Sequence, residues 1–208
     1  MTEDEAKAAL AARVSRETLE RLELYAQLLT KWQAAINLVA PSTLSQIWLR
    51  HMLDSAQVFD HAPDSAMRWI DLGSGGGFPG LVCAALAAET RPGLRITLVE
   101  SDLRKGAFLR EAARQMGVDV AVLTRRIEDL QPSHSEIVSA RALAPLGALC
   151  GYAHPHLAPG GICLFQKGAR HAEELELARQ DWQMDVTTIP SVTDPDAVLL
   201  KLENLRHA

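Results

Sequence analysis

The chain has 208 residues, 48% of them hydrophobic, and its 26 acidic and 21 basic side chains leave a formal net charge of -5. A chain of this length buries roughly 70% of its unfolded surface, so we expect one domain with a small appendage. No run of about 20 apolar residues is present, and the first residues are acidic, which excludes a membrane span and argues against a signal peptide. We therefore expect a cytoplasmic protein. The three cysteines lie among apolar neighbours and are expected to be reduced core thiols.

The acidic net charge argues at first sight against a nucleic-acid partner, because Lys and Arg supply most of the affinity for phosphate. One segment differs from this average. Between Arg104 and Arg126 there are six basic residues and only two acidic ones. This segment forms either a local basic face or an ordinary solvated helix surface, and the residues alone leave both open.

The first sixty residues carry helical patterns. Thr2 followed by Glu5 is a capping-box pattern, and apolar residues then recur at helical spacing as far as Trp32. Pro41 restarts the chain, with Thr43 as the expected N-cap of a helix that continues to about residue 60. We therefore expect an N-terminal helical appendage over residues 1–62 and the main domain over residues 63–208.

From Trp69 onwards, short apolar runs alternate with helical stretches. Strands are predicted over 69–72, 96–100, 118–123, 136–140 and 162–166, with helices over 81–88, 105–116 and 146–156 between them. Such alternation predicts a parallel sheet covered by helices on both faces. Two further strands, over 184–189 and 198–202, are expected to end the chain.

A glycine-rich loop, D-L-G-S-G-G-G-F-P-G, follows the first predicted strand and runs from Asp71 to Gly80. Glycines allow the backbone to turn with positive φ and to approach a ligand closely. Because Phe78 occupies the sixth position from Gly73, the loop departs from the dinucleotide pattern, and it has no Lys-Ser/Thr pair typical of a P-loop. The spacing D-x-G-x-G-x-G instead resembles the first motif of class I methyltransferases.

Residues after the second and third predicted strands are expected to lie beside this loop and to contact the same ligand. Glu100 ends the second predicted strand 23 residues after Gly77, where a carboxylate can accept hydrogen bonds from two ribose hydroxyls. After the third strand, Ile127 and Glu128 are the candidates for contacts to an adenine edge, with an ordinary helix cap as the alternative. The pair His154 and His156 has no accompanying ligand at metal-binding spacing, so we expect no metal site.

Several segments, one at the end of the loop and the others outside it, resemble the small-subunit (16S) ribosomal RNA guanine-N7 methyltransferases, the RsmG or GidB family. They are K-W at 31–32, I-N-L at 36–38, R-H-M-L-D-S at 50–55, F-P-G at 78–80, E-S at 100–101, L-R-K at 103–105, F-L-R at 108–110, R-I-E at 126–128, R-A at 141–142 and K-G at 167–168. The resemblance runs nearly end to end. The pair Asp196-Ala197, where this family often has a basic residue, departs from it.

The resemblance implies a doubly wound α/β sheet, mostly parallel with an antiparallel last strand, and S-adenosylmethionine as the cofactor. The implied cofactor-binding residues are Asp71, Gly73, Gly75, Gly77, Phe78, Glu100, Ile127, Glu128 and Arg141. The expected RNA-contacting residues are Arg50, His51, Arg104, Lys105, Arg110 and Lys167. The implied partner is ribosomal RNA or the small ribosomal subunit, without a membrane, and we expect a monomer.

Guanine N7 carries an in-plane lone pair and no proton, so its methylation needs alignment rather than a general base. Arg141, past the fourth strand, is expected to position the cofactor through its methionine carboxylate, with a surface ion pair as the alternative. Arg50, His51 and Asp54 are expected either to order the appendage against the cleft or to touch RNA. For His51 alone the alternative is an ordinary helix histidine that is hydrogen-bonded to a neighbour.

Three other functions stay open from the residues. The first is a class I methyltransferase that acts on a small molecule or a protein, which the acidic charge would suit. The second is a nucleotide-binding oxidoreductase, which Phe78 disfavours. The third is a cofactor-binding protein without catalysis, which the fold alone does not exclude.

Overall fold

The computed structural model describes residues 1–208 and contains seven α-helices, four short 3₁₀ or π segments and seven strands. The α-helices are α1 (Glu3–Ala11), α2 (Arg16–Gln33), α3 (Asp54–Asp60), α4 (Gly80–Thr90), α5 (Leu103–Met116), α6 (Leu146–Ala153) and α7 (His171–Ala178). The strands are β1 (Arg68–Leu72), β2 (Arg95–Val99), β3 (Val120–Leu123), β4 (Ser135–Arg141), β5 (Leu157–Lys167), β6 (Trp182–Pro190) and β7 (Val198–His207).

All seven strands form one sheet in the order β3-β2-β1-β4-β5-β7-β6. Strands β1 to β5 pair in parallel, and β7 is antiparallel to both β5 and β6. The expected doubly wound sheet with an antiparallel last strand is therefore confirmed. Because the order reverses direction between β1 and β4, a crevice opens at the carboxyl ends of these two strands.

The N-terminal helices pack directly on the sheet's helical layer. The predicted capping box is present, because the Thr2 hydroxyl accepts from the Glu5 amide and the Glu5 side chain accepts from the Thr2 amide. Leu22 and Tyr25 of α2 are fully buried in the same core cluster as Leu81 of α4 and Phe108 of α5. The division at residue 62 stays a prediction, since helices on both sides of it share this core.

The segment between α2 and α3 differs from the single helix that we expected. Pro41–Gln46 is a 3₁₀-helix and Trp48–Leu53 is a π-helix, and only Asp54–Asp60 is α-helical. The prediction of Thr43 as an N-cap is wrong, because its hydroxyl donates to the Ala40 carbonyl inside the 3₁₀ turn. Wider π turns free backbone carbonyls for other partners, and they are frequent at functional sites.

The strand predictions fall within a few residues of the observed bounds, with two larger differences. β5 begins at Leu157 and β7 continues to His207, so both strands are longer than their apolar runs. Helix α7 is not predicted from the sequence, because its acidic first turn lacks a strong apolar period. All three cysteines are free and buried. None of the helices combines the length and the apolar character that crossing a bilayer requires.

Candidate functional site

A cleft of about 740 Å³ lies at the carboxyl ends of the parallel strands. Its floor is the glycine loop, and the ends of β2 and β4 form its sides. The π-helix and the loop between β6 and β7 cover it from the other side, through Arg50, His51, Thr193 and Asp194. Segments far apart in the chain thus meet around one concave surface, as is typical of ligand sites in open α/β sheets.

The glycine loop has the backbone geometry that its sequence predicts. Gly73, Gly75 and Gly77 have φ values of 66°, 56° and 98°, which glycine adopts without strain. A Cβ atom on Gly73 would lie 2.6 Å from Leu143 Cδ1, so the Leu143 side chain would have to move to admit one. Gly73 and Gly75 line the cleft together with Phe78. The loop therefore presents bare backbone to a ligand.

Glu100 lies where the sequence predicts it, at the end of β2 beside the loop. Its Oε2 accepts from the Gly75 amide at 2.9 Å, and its Oε1 accepts from the Asp102 amide at 2.9 Å. A carboxylate offers about four lone-pair positions, so two remain for hydroxyl donors in the cleft. Ile127 and Glu128 also line the cleft, in a short 3₁₀ turn after β3.

Asp71 lies beneath the loop rather than on the cleft surface. It is fully buried, and its Oδ1 accepts from Ser139 Oγ at 2.6 Å, which in turn accepts from Trp69 Nε1 at 2.8 Å. Burial raises the pKa of Asp71 to about 6, and the hydrogen bond from Ser139 opposes this rise. A Cβ atom on Gly80 would lie 2.7 Å from Asp71 Oδ2, so the start of α4 has no room for a side chain above this carboxylate.

Arg141 extends from the end of β4 into a nearly closed environment. Its Nη1 donates to the Arg50 carbonyl at 3.0 Å, a group that belongs to the π-helix, and its Nη2 lies 2.6 Å from His51 Nδ1. The guanidinium also stands 5.0 Å from the Phe78 ring centroid and 3.7 Å from Asp54 Oδ2. A guanidinium has five N–H donors, so some remain free for an anionic group in the cleft.

His51 forms one link in a chain of hydrogen bonds. Because a guanidinium only donates, Nδ1 of His51 accepts from Arg141, and the ring proton must lie on Nε2. This Nε2 donates to Thr43 Oγ1 at 2.8 Å, and Thr43 donates to the Ala40 carbonyl. Burial, Arg141 and Arg50 together lower the pKa of His51 to about 3. His51 is therefore neutral, and both of its ring nitrogens are occupied.

Comparison with known proteins gives the family. A family model described as GidB, rRNA small subunit methyltransferase G, matches residues 18–199. The chain belongs to this family. A relative from Jannaschia sp. (strain CCS1) named ribosomal RNA small subunit methyltransferase G is 56% identical over 201 residues, which cover 97% of this chain and 95% of the relative. One from Cereibacter sphaeroides with the same name is 54% identical over 207 residues and covers 100% of both chains.

Solved structures that resemble this member of the GidB family support the fold alone. The chain of P. horikoshii TYW2 in complex with MeSAdo aligns with a TM-score of 0.57 and 13% identity, over 84% of this chain and 65% of that one. Cofactor-bound Rv0187 from MTB aligns with a TM-score of 0.61 and 14% identity, over 88% and 89%. The family resemblance inferred from the sequence motifs is confirmed by the family match itself.

The six residues that the family resemblance predicts to contact RNA differ in burial and in ion pairing. Arg50 pairs with Asp194 at 2.6 Å, and Lys167 pairs with Glu174 at 2.5 Å with only 10% of its side chain exposed. His51 is buried. The remaining three are exposed or half-buried around α5, namely Arg104, Lys105 and Arg110. Of these only Lys105 lines the cleft.

The C-terminal part of the chain supplies a wall of the cleft that the sequence does not predict. Asp54 Oδ1 accepts from Ser191 Oγ and Thr193 Oγ1, and its Oδ2 accepts from Gln166 Nε2. Burial raises the pKa of Asp54, and Arg141 opposes this rise. The cluster of Ser191 and Thr193 after Pro190 was the only sequence signal, and it predicts a loop but not its partner.

Proposed function

We propose that this GidB-family member transfers the methyl group of S-adenosylmethionine to N7 of a guanine in 16S ribosomal RNA, inside the cleft. The family match over residues 18–199 carries this conclusion. The match supports the expected cofactor-dependent rRNA methyltransferase and disfavours a methyltransferase that acts on a small molecule or a protein. The acidic net charge is no obstacle, because it averages over the whole surface.

The cleft has the groups that this cofactor requires. Bare backbone at Gly73 and Gly75 allows close approach, and Glu100 keeps lone pairs for two ribose hydroxyls. We assign the adenine edge to Ile127 and Glu128, and the methionine carboxylate to the free donors of Arg141. When bound, the cofactor supplies an electrophilic methyl group on a sulfonium.

The side chains around the cleft hold the cofactor and the guanine in line with each other, and none of them has to remove a proton. Guanine N7 attacks with its own lone pair, so the rate depends on alignment of N7 with the methyl group. His51, the residue type most often used as a base, has both ring nitrogens engaged by Arg141 and Thr43. This arrangement fits a reaction without a general base.

Ribosomal RNA is the partner that the family name states for the relatives. We propose that the chain acts as a monomer in the cytoplasm. We also retain Asp71, Gly77 and Phe78 as residues that shape the cofactor site, with Asp71 beneath the loop and hydrogen-bonded to Ser139.

The first experiment measures methyl transfer from labelled S-adenosylmethionine to unmodified small ribosomal subunits and to their naked RNA, followed by mapping of the labelled nucleotide. A single N7-methylguanine is expected. Cofactor binding without RNA labelling would contradict the proposed substrate and would direct attention to small-molecule or protein acceptors.

A second experiment tests the role of Arg141. Arg141→Lys keeps the charge but loses the fork that reaches both the Arg50 carbonyl and His51. We expect kcat/KM for the cofactor to fall at least tenfold, with unchanged far-UV circular dichroism. Arg170→Lys, at an exposed ion pair just before α7, is the matched control. Full activity of Arg141→Lys would remove this residue from the site.

A further inference from the structure

The basic side chains that line the cleft differ in whether the protein already neutralises them. They are Arg50, Lys105, Arg125, Arg126, Arg141 and Lys167. A cation with an internal acidic or carbonyl partner must give up that partner before it can bind a phosphate. A cation without an internal partner binds a phosphate without first breaking a contact. The unpaired cations are therefore the better candidates for phosphate binding.

The three cations on the β4–β5 side of the cleft all have partners. Arg50 pairs with Asp194, Lys167 pairs with Glu174 at 2.5 Å, and Arg141 donates to the Arg50 carbonyl. The Lys167 pair is largely buried, with side-chain exposures of 10% and 19%. Breaking such a pair leaves a buried charge without compensation, which is strongly unfavourable.

The three cations on the β2–β3 side have no such partner. Lys105 lies in the first turn of α5, and Arg125 and Arg126 lie between β3 and the 3₁₀ turn that follows it. None of them has a carboxylate within 4.0 Å. Arg125 and Arg126 are exposed and Lys105 is half-buried. Because β2 and β3 are parallel neighbours, all three lie at the same edge of the sheet.

We propose that Lys105, Arg125 and Arg126 form the phosphate-binding flank of the cleft, along which the RNA backbone next to the target guanine runs. This inference rests on the proposed function. The flank is a set of free donors at the mouth of the cofactor cleft, and Arg presents a planar fork that suits phosphate oxygens. The paired Arg50 and Lys167 instead hold the opposite wall in place.

The test compares Arg125→Gln, Arg126→Gln and Lys105→Gln with Arg95→Gln. Arg95 is an exposed arginine without an ion pair at the amino end of β2, so its variant has the same charge change at the far edge of the sheet. Michaelis constants for small-subunit RNA are measured at several salt concentrations, and those for S-adenosylmethionine at one.

Each flank variant is expected to raise KM for RNA several-fold at low salt. It is also expected to reduce the slope of log KM against log salt by about 0.7, the value for one phosphate contact on a single strand. KM for S-adenosylmethionine and the circular dichroism spectrum stay unchanged. Arg95→Gln is expected to leave both Michaelis constants and the slope at wild-type values.

Two results would overturn the inference while the proposed function stands. One is an unchanged KM for RNA with an unchanged salt slope in the flank variants. The other is a rise in KM for S-adenosylmethionine with no change in the salt slope, which would assign the two arginines to the adenine side of the cofactor. Failure of the wild-type protein to methylate RNA would overturn the proposed function and this inference together.

Discussion

At the scale of single residues, two buried titratable groups at the site make the stability of the fold depend on pH in opposite directions. His51 stays neutral because burial and two arginines lower its pKa to about 3, whereas burial raises the pKa of Asp71 to about 6. His51 has both ring nitrogens engaged, by Arg141 and Thr43, and Asp71 does not line the cleft, so neither residue is placed for acid–base chemistry on a substrate. Both shifts therefore appear in the pH dependence of folding rather than in catalysis.

The replacement His51→Asn tests the first shift. In the unfolded chain, histidine is protonated below about pH 6.5, whereas folded His51 stays neutral down to about pH 3. Protonation therefore favours the unfolded state, and the folded protein loses stability as the pH falls below about 6.5. Asparagine keeps an acceptor near Arg141 and does not titrate. Between pH 7.5 and 5 we expect the wild type to lose about 2 kcal/mol more unfolding free energy than the variant in urea titrations. Parallel losses in both proteins would contradict a neutral His51.

The replacement Asp71→Asn tests the second shift, which has the opposite sign. The folded carboxyl holds its proton up to about pH 6 whereas the unfolded one loses it near its ordinary pKa of 3.8, so stability falls as the pH rises through this window. From pH 4.5 to 7.5 the wild type is expected to lose about 2 kcal/mol relative to the variant. A difference in unfolding free energy that does not vary with pH would show that the Asp71 pKa is not raised.

At the scale of elements, the loop between β6 and β7 is attached to the segment that precedes β1. Gln57 of α3 donates to the Pro190 carbonyl at 2.7 Å and accepts from the Val192 amide at 3.1 Å, and Arg50 pairs with Asp194. These contacts hold a wall of the cleft that has no regular secondary structure of its own. The wall is therefore as stable as its attachment to α3 and to the π-helix.

The replacement Gln57→Leu tests this attachment. It removes two hydrogen bonds of about 1 kcal/mol each, so local opening of the loop becomes about tenfold or more frequent. Amide hydrogen exchange of Val192 and Ala197 is expected to accelerate accordingly, while exchange in β1 stays slow. The control is Gln27→Leu on exposed α2 surface, which should change neither. Equal exchange in both variants and the wild type would show that Gln57 does not hold the loop.

At the scale of the whole molecule, the N-terminal helices and the cofactor loop form one packed unit. Tyr25 of α2 is fully buried, donates to the Gly76 carbonyl and stacks on Phe78 with ring centroids 5.2 Å apart. Phe78 stacks in turn on His51 at 4.8 Å. The glycine loop is thus supported by a residue of the N-terminal helices, and its shape depends on both parts of the chain.

This shared core predicts a single unfolding transition. Trp32 and Trp48 report on the N-terminal part, and Trp69 and Trp182 report on the sheet. In Trp32→Phe/Trp48→Phe and in Trp69→Phe/Trp182→Phe we expect the fluorescence midpoint in urea to coincide with the circular dichroism midpoint of the same variant. An earlier fluorescence midpoint for the N-terminal tryptophans would mean that these helices unfold separately.

Much of the fold and of the cofactor half of the site could be predicted because the signals are local. The alternation of apolar runs and helical spacing gave β1 to β5, and the loop with Glu100 is defined by glycines and by the position of one acid. The weak apolar period of α7 and the change from 3₁₀ to π to α geometry before β1 carry no such signal. Propensities describe neighbours along the chain, so these elements could not be inferred.

The amino-acid sequence by itself determined the sheet class, the glycine loop, its acidic partner and the family. Only the tertiary structure decided which charges are free, because Lys167 meets Glu174 and Arg50 meets Asp194 across folded elements. It also decided that Asp54 holds Thr193, 139 residues away. Such pairs depend on how elements pack against each other, and a side chain's type does not say which distant partner will lie within 4 Å of it.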